Sequence, residues 1–183
     1  MCGIAGIFAG TKTGHPTRGQ LQNMAARMAR RGPDDEGVWQ SVPDGIGFAH
    51  RRLSIIDLSS DGHQPMHSAS GRYTIVLNGE IYNYRQLRKE IGDHRGAWRG
   101  QSDTEVLLNA VEVWGLNTVL DRVNGMFAFA IWDHREKQLT LVRDPMGKKP
   151  LYYGFNSGLF FFASELKAIK AHPEFRPSID SNM

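Results

Sequence analysis

The chain has 183 residues, 40% of them hydrophobic, enough for one globular domain whose core needs no disulfide or metal to hold it. Its 22 basic and 19 acidic residues are interleaved without a sustained basic block, so the net charge of +3 argues against nucleic acid as a partner. The single cysteine excludes an intramolecular disulfide and fits a reducing, cytoplasmic compartment, no apolar run approaches the ~20 residues of a membrane span, and the N-terminus lacks the basic and long apolar regions of a signal peptide.

Residues 3–8 are small and apolar, which predicts a buried strand almost at the chain start and a rigidly held residue 2. Over residues 17–30, Leu21, Met24, Ala25, Met28 and Ala29 share one face at helical spacing, Thr17 and Gln20 form a capping-box pattern, and Gly32-Pro33 ends the helix. Strands are predicted at 45–50 and 72–78, the second running into Asn78-Gly79-Glu80. Residues 83–91 read as a short helix, and Ser102 with Glu105 opens a better one that turns Leu107, Ala110, Val111 and Trp114 inward and stops at Gly115. Residues 126–132 and 139–142 read as a hairpin. A second hairpin joins 151–155 to 159–163 through Asn156-Ser157-Gly158, and a short helix follows at 164–170. Adjacent hairpins mixed with helices imply an α+β sandwich of largely antiparallel sheets rather than a doubly wound parallel sheet. There is no internal repeat, low-complexity tract or linker before about Pro173.

On composition, a lone cysteine is a small buried hydrophobe by about two to one over a nucleophile. Position 2 changes those odds, because methionine is readily trimmed before a small residue and the freed α-amine then lies beside the Cys2 thiol. An α-amine titrates near ~8 and a thiol near ~8.5, so proton transfer between them costs little and needs no histidine. Thiolate attack on a carboxamide creates an oxyanion that requires donors aimed at it. The Asn78 side chain and the Gly79 backbone N–H are a candidate pair, although Asn-Gly by itself more often marks a turn. A free amino acid substrate also calls for a guanidinium and a carboxylate. Arg52, Glu80 and Asp103 are the candidates; taken singly each is more often a solvated charge, and Asp103 is an ordinary first-turn acid after Ser102.

Seven ordered motifs carry a family resemblance: Met1-Cys2-Gly3-Ile4-Ala5-Gly6, Arg31-Gly32-Pro33-Asp34-Asp35-Glu36-Gly37, Arg52-Leu53-Ser54-Ile55-Ile56-Asp57, His63-Gln64-Pro65-Met66, Asn78-Gly79-Glu80-Ile81-Tyr82-Asn83, Ser102-Asp103-Thr104-Glu105 and Lys149-Pro150-Leu151-Tyr152-Tyr153. From residue 2 to about 169 the chain resembles the N-terminal glutaminase domain of asparagine synthetase-like class II glutamine amidotransferases. The aminosugar-forming and phosphoribosylamine-forming relatives differ at Arg31-Gly32-Pro33-Asp34 and at 52–56, so the asparagine synthetase branch fits better.

The resemblance implies the N-terminal-nucleophile hydrolase fold, a four-layer α/β/β/α sandwich with largely antiparallel sheets. It implies Cys2 as nucleophile with its own amine as base, Asn78 and Gly79 as the oxyanion hole, Arg52 on the α-carboxylate, and Glu80 and Asp103 on the α-ammonium. Leu53, Ser54, Ile55 and Ile56 are expected to line the site, partly through backbone groups. The implied reaction is hydrolysis of L-glutamine to glutamate and ammonia, the ammonia passing to an ATP-dependent synthetase domain that amidates a carboxylate such as aspartate. No cofactor or metal is expected in residues 1–170. ATP and Mg belong to the C-terminal synthetase domain, toward which residues 171–183 are read as a linker. Expected partners are L-glutamine and that domain, with no nucleic acid and no membrane; a homodimer is compatible with the resemblance.

Two rival readings are an N-terminal-nucleophile amidase acting on larger amides or peptides, and a non-enzymatic module on the same scaffold. The charged pair suited to a small amino acid argues against the first, and retention of Cys2, Asn78, Gly79 and Asp103 against the second. His63 and His67 have a spacing that suits a metal on a helix, but Gln64-Pro65 interrupts any helix there. Residues 144–149 lack phosphate-loop spacing and read as a loop, and Phe160-Phe161-Phe162 as core.

Overall fold

The computed structural model describes residues 1–10, 14–92 and 98–176. In the first sheet β1 (Gly3–Phe8) lies between β3 (Ile46–Arg52) and β9 (Leu159–Ala163), with β2 (Asp35–Ser41) beyond β3 and β8 (Tyr152–Asn156) beyond β9. The second sheet runs in the order β4 (Met66–His67), β5 (Tyr73–Ile81), β6 (Gly125–Asp133) and β7 (Gln138–Arg143). Every pairing is antiparallel.

Alternation along the strands builds three apolar seams. Odd residues of β1 (Ala5, Ile7) pack with Phe161 and Ala163 against α1 (Arg18–Ala26) and α5 (Leu166–Ile169). Odd residues of β5 (Ile75, Leu77, Ile81) pack with Phe127, Phe129 and Ile131 against α2 (Tyr84–Ile91), α3 (Asp103–Trp114) and α4 (Leu116–Leu120). The even positions Ile4, Ile46, Phe48, Val76, Ala128, Ala130, Trp132 and Phe162 fill the space between the sheets. Helix, sheet, sheet and helix therefore stack as the four-layer sandwich expected of the sequence.

Local signals held closely. Thr17 accepts from the Gln20 N–H at 3.3 Å while Gln20 Oε1 accepts from the Thr17 N–H at 2.8 Å, the reciprocal cap expected at α1. That helix ends at Ala26, short of the predicted 30, because the chain continues in tight turns such as Met28 N–H to Ala25 and Arg31 N–H to Met28. Ser102 caps α3 through the Glu105 N–H at 3.1 Å; the Glu105 carboxylate, instead of closing a capping box, accepts from the Arg99 and Gly100 N–H groups. Ser157 and Gly158 both have positive φ, 52° and 78°, the turn that a two-residue hairpin requires. Asn78-Gly79, in contrast, is no turn: β5 runs straight through it to Ile81. The strands β2 and β4 and the helix α4 were not predicted. Residues 171–176 of the segment read as a linker pack against the first sheet, His172 and Phe175 lying 5.0 and 5.9 Å from the Phe161 ring; residues 177–183 lie outside the described residues.

Candidate active site

The same alternation that fills the space between the sheets places the polar residues. Cys2 continues the inward parity of Ile4, His50 and Arg52 that of Phe48, and Asn78 and Glu80 that of Val76. At one end of the sandwich the apolar filling thus gives way to a thiol, an amide, an imidazole, a guanidinium and a carboxylate. All but the imidazole border a cavity of about 130 Å³ lined by Cys2, Arg52, Leu53, Ile55, Ile56, Asn78, Gly79, Glu80 and Asp103, together with Gln64, Lys149 and others. Ser54 is the one expected site residue that does not line it; its N–H instead donates to Asp34 Oδ2 at 2.8 Å and fixes the loop.

Cys2 is held from both sides. Its carbonyl accepts from Arg31 Nε at 2.8 Å, and its sulfur lies 3.5 Å from the Leu53 nitrogen and 3.7 Å from the Leu53 oxygen. Burial pushes the thiol above its ordinary value, against the Leu53 N–H, which lowers it. The resting sulfur is therefore protonated, and a base must take its proton. Met1 sits at the cavity mouth with 56% of its surface exposed, within reach of trimming.

The edge of β5 supplies the donors. Phe127 exchanges hydrogen bonds with Asp144, its N–H donating to the carboxylate at 3.2 Å and its carbonyl accepting from the Asp144 N–H at 2.8 Å, so it faces away from its register partner Gly79. By alternation the N–H groups of Leu77, Gly79 and Ile81 all point to the open edge. That of Leu77 is capped by Gln64 Oε1 at 2.6 Å and that of Ile81 by Asp103 Oδ2 at 2.8 Å. The Gly79 N–H lies between them, on the cavity. A side chain at Gly79 would meet the Met126 carbonyl at 2.2 Å, so only glycine lets β5 and β6 approach here. Beside it the Asn78 side chain is fully buried, and neither its nitrogen nor its oxygen has a partner among the described residues. An orphaned amide in a core costs about 1–3 kcal/mol, which marks this one as waiting for a ligand.

Arg52, 8% exposed, donates to the Ser59 carbonyl at 2.7 Å and to the Asp57 carbonyl, and its remaining guanidinium donors have no hydrogen bond among the described residues. Gly62 presses on it so closely that a Cβ there would lie 2.0 Å from Nη2. Gln64, missed in the sequence, bridges the two halves of the wall: its Nε2 donates to Thr104 at 3.1 Å while its oxygen caps Leu77. His50 is fully buried with Nε2 at 3.1 Å from the Leu77 carbonyl; burial lowers it to about 4, so it stays neutral. His63 and His67 part company, the first on Asp35 at 2.7 Å and the second on Thr74 at 2.9 Å.

Burial raises the Asp103 carboxyl to about 6, against the lowering N–H bonds from Ile81 and from the start of α3. The folded chain holds this proton more tightly than the unfolded one. Its contribution to stability is therefore complete below about pH 4, the unfolded value, and is lost as the pH rises through 6. Asp103→Asn keeps an acceptor for Ile81. It is expected to melt about 5 °C above the parent at pH 8, the advantage vanishing toward pH 4, as thermal unfolding across that range would show.

A family model described as "Glutamine amidotransferase domain" matches residues 1–183. The chain is 39% identical to asparagine synthetase [glutamine-hydrolyzing] 3 of Bacillus subtilis (strain 168), over 98% of this chain and 29% of that protein. It is 38% identical to asparagine synthetase B [glutamine-hydrolyzing] of Escherichia coli (strain K12), over 92% of this chain and 30% of that protein. It therefore spans less than a third of these relatives' length. Among solved structures, the glutamine phosphoribosylpyrophosphate amidotransferase of B. subtilis superposes with a TM-score of 0.72 at 20% identity, covering 93% of this chain and 43% of that one, a likeness of fold. The chain belongs to the glutamine amidotransferase domain family, as an enzyme domain on the N-terminal-nucleophile hydrolase fold.

Proposed function

We propose that the domain hydrolyses L-glutamine with the thiol of Cys2 after removal of Met1. The observation that carries this is the unpartnered Asn78 amide beside the outward Gly79 N–H, on the cavity that Cys2 lines. The freed amine takes the thiol proton as sulfur attacks the carboxamide carbon. The oxyanion is met by Asn78 Nδ2–H and Gly79 N–H, and the amine returns the proton to nitrogen as ammonia leaves. Water then attacks the thioester and releases glutamate. The remaining Arg52 donors suit the α-carboxylate, and Glu80 with ionised Asp103 suits the α-ammonium. The charged groups gathered on the cavity, Arg52, Glu80 and Asp103, favour a free amino acid over a bulky amide or peptide.

The names of the relatives support a further reading, that the ammonia serves an ATP-dependent synthetase domain making asparagine from aspartate. ATP and Mg are expected only for that reaction. No helix among the described residues is long and apolar enough to cross a membrane. The test is intact-mass analysis before and after a glutamine-analogue electrophile. The expected result is loss of Met1 and one adduct on the Cys2 peptide, blocked by glutamine; full-rate hydrolysis by protein that retains Met1 would overturn the reading.

A further inference from the structure

Lys149 lies on the wall of the Cys2 cavity, 5% exposed. None of the ion pairs among the described residues includes it. The chain holds its backbone firmly in place. The Lys149 N–H donates to Asp144 Oδ2 at 3.1 Å and its carbonyl accepts from Arg143 Nε at 2.6 Å. Asp144 also accepts from the N–H groups of Lys148 at 2.9 Å and Phe127 at 3.2 Å, so the loop is tied to the strand residue opposite Gly79.

Around the terminus Arg31 holds the Cys2 carbonyl and pairs with Glu165 at 3.4 Å, Asp34 accepts from Ser54, Asp103 from Ile81 and Asp57 from Gln101; Arg52 holds two loop carbonyls and also acts on the thiol, and Glu80 lines the same cavity without an ion pair to Lys149. We propose that Lys149 is a positioning residue for the nucleophile, its positive charge on the cavity wall favouring the form of the mature Cys2 terminus that has lost its first proton. The amine and the thiol titrate as a coupled pair, and a nearby cation disfavours the doubly protonated pair whichever site releases the proton. Consistent with this, the amine of the chain that still carries Met1 lies below its ordinary value, through burial first and then repulsion from Arg31 and Lys149, against Cys2 and Asp34, which raise it.

This inference rests on the Cys2 reading, and its test separates the two. Met1-free Lys149→Met, Lys149→Gln and Lys149→Arg chains are compared with the parent in two pH profiles, kcat/KM for glutamine and the rate of Cys2 alkylation by iodoacetamide. Both neutral variants are expected to move the acid limb of each profile up by about one pH unit, losing about tenfold at pH 6 and little at pH 9, while Lys149→Arg leaves it in place. An unmoved limb in the neutral variants, an arginine limb displaced as far as theirs, or unfolding of both neutral chains while the arginine chain folds would overturn it. A shifted alkylation limb in a protein that leaves glutamine intact would keep the role of Lys149 and remove the glutaminase reading.

Discussion

Cys2→Ala is expected to release ammonia from glutamine no faster than background, a loss on the order of 10⁴-fold or more, while melting within a few degrees of the parent. The sulfur makes only the two long contacts to Leu53, and the Arg31 bond goes to the Cys2 backbone, so alanine removes little that holds the fold. Arg52, Glu80, Asp103, Asn78 and Gly79 all keep their places in that variant. Glutamine should still bind, with a Kd by calorimetry within about threefold of the parent, because the thiol adds to the transition state far more than to ground-state affinity. Hydrolysis that persists in Cys2→Ala would transfer the chemistry elsewhere. Loss of binding together with rate would show that the residue shapes the site instead of reacting in it.

The parts of this molecule that sequence reveals are those whose cause is local. The Thr17–Gln20 cap, the stop at Gly115 and the Ser157-Gly158 turn each depend on neighbours within a few positions, and each formed as expected. β2 did not announce itself, because Asp35-Glu36-Gly37-Val38-Trp39-Gln40-Ser41 is a polar edge strand held by pairing with β3, a partner the sequence does not name. α4 spans only Leu116–Leu120, too short to show a helical period. Asn78-Gly79 carries a turn signal that tertiary pairing overrides: Phe127 and Ala128 stand opposite, and the strand continues. The Cys2 chemistry could be argued from its position, but Arg52, Glu80 and Asp103 stood out only through the family resemblance. Gln64 and Lys149 gain their places from contacts with Leu77, Thr104, Asp144 and Arg143, groups that no local pattern links to a cavity.

Asn78→Ala is expected to lower kcat by about 10²–10³-fold with KM changed by less than about threefold. The reason is where its amide lies and what it lacks. Fully buried and without a partner among the described residues, the side chain contributes no hydrogen bond there to stability, so its removal should leave the melting temperature unchanged or slightly raised. A ground-state carbonyl accepts weakly from Nδ2, whereas the tetrahedral oxygen carries a full charge that the amide meets at no reorganisation cost; the difference falls on kcat. The Gly79 N–H survives in the variant, anchored by the close approach of β5 to the Met126 carbonyl, and sets the residual rate. Asn78→Asp should be slower still, since its carboxylate would face the oxyanion with like charge. An alanine variant that loses affinity for glutamine while its kcat stays within threefold would assign Asn78 to substrate binding and leave the oxyanion with Gly79 alone.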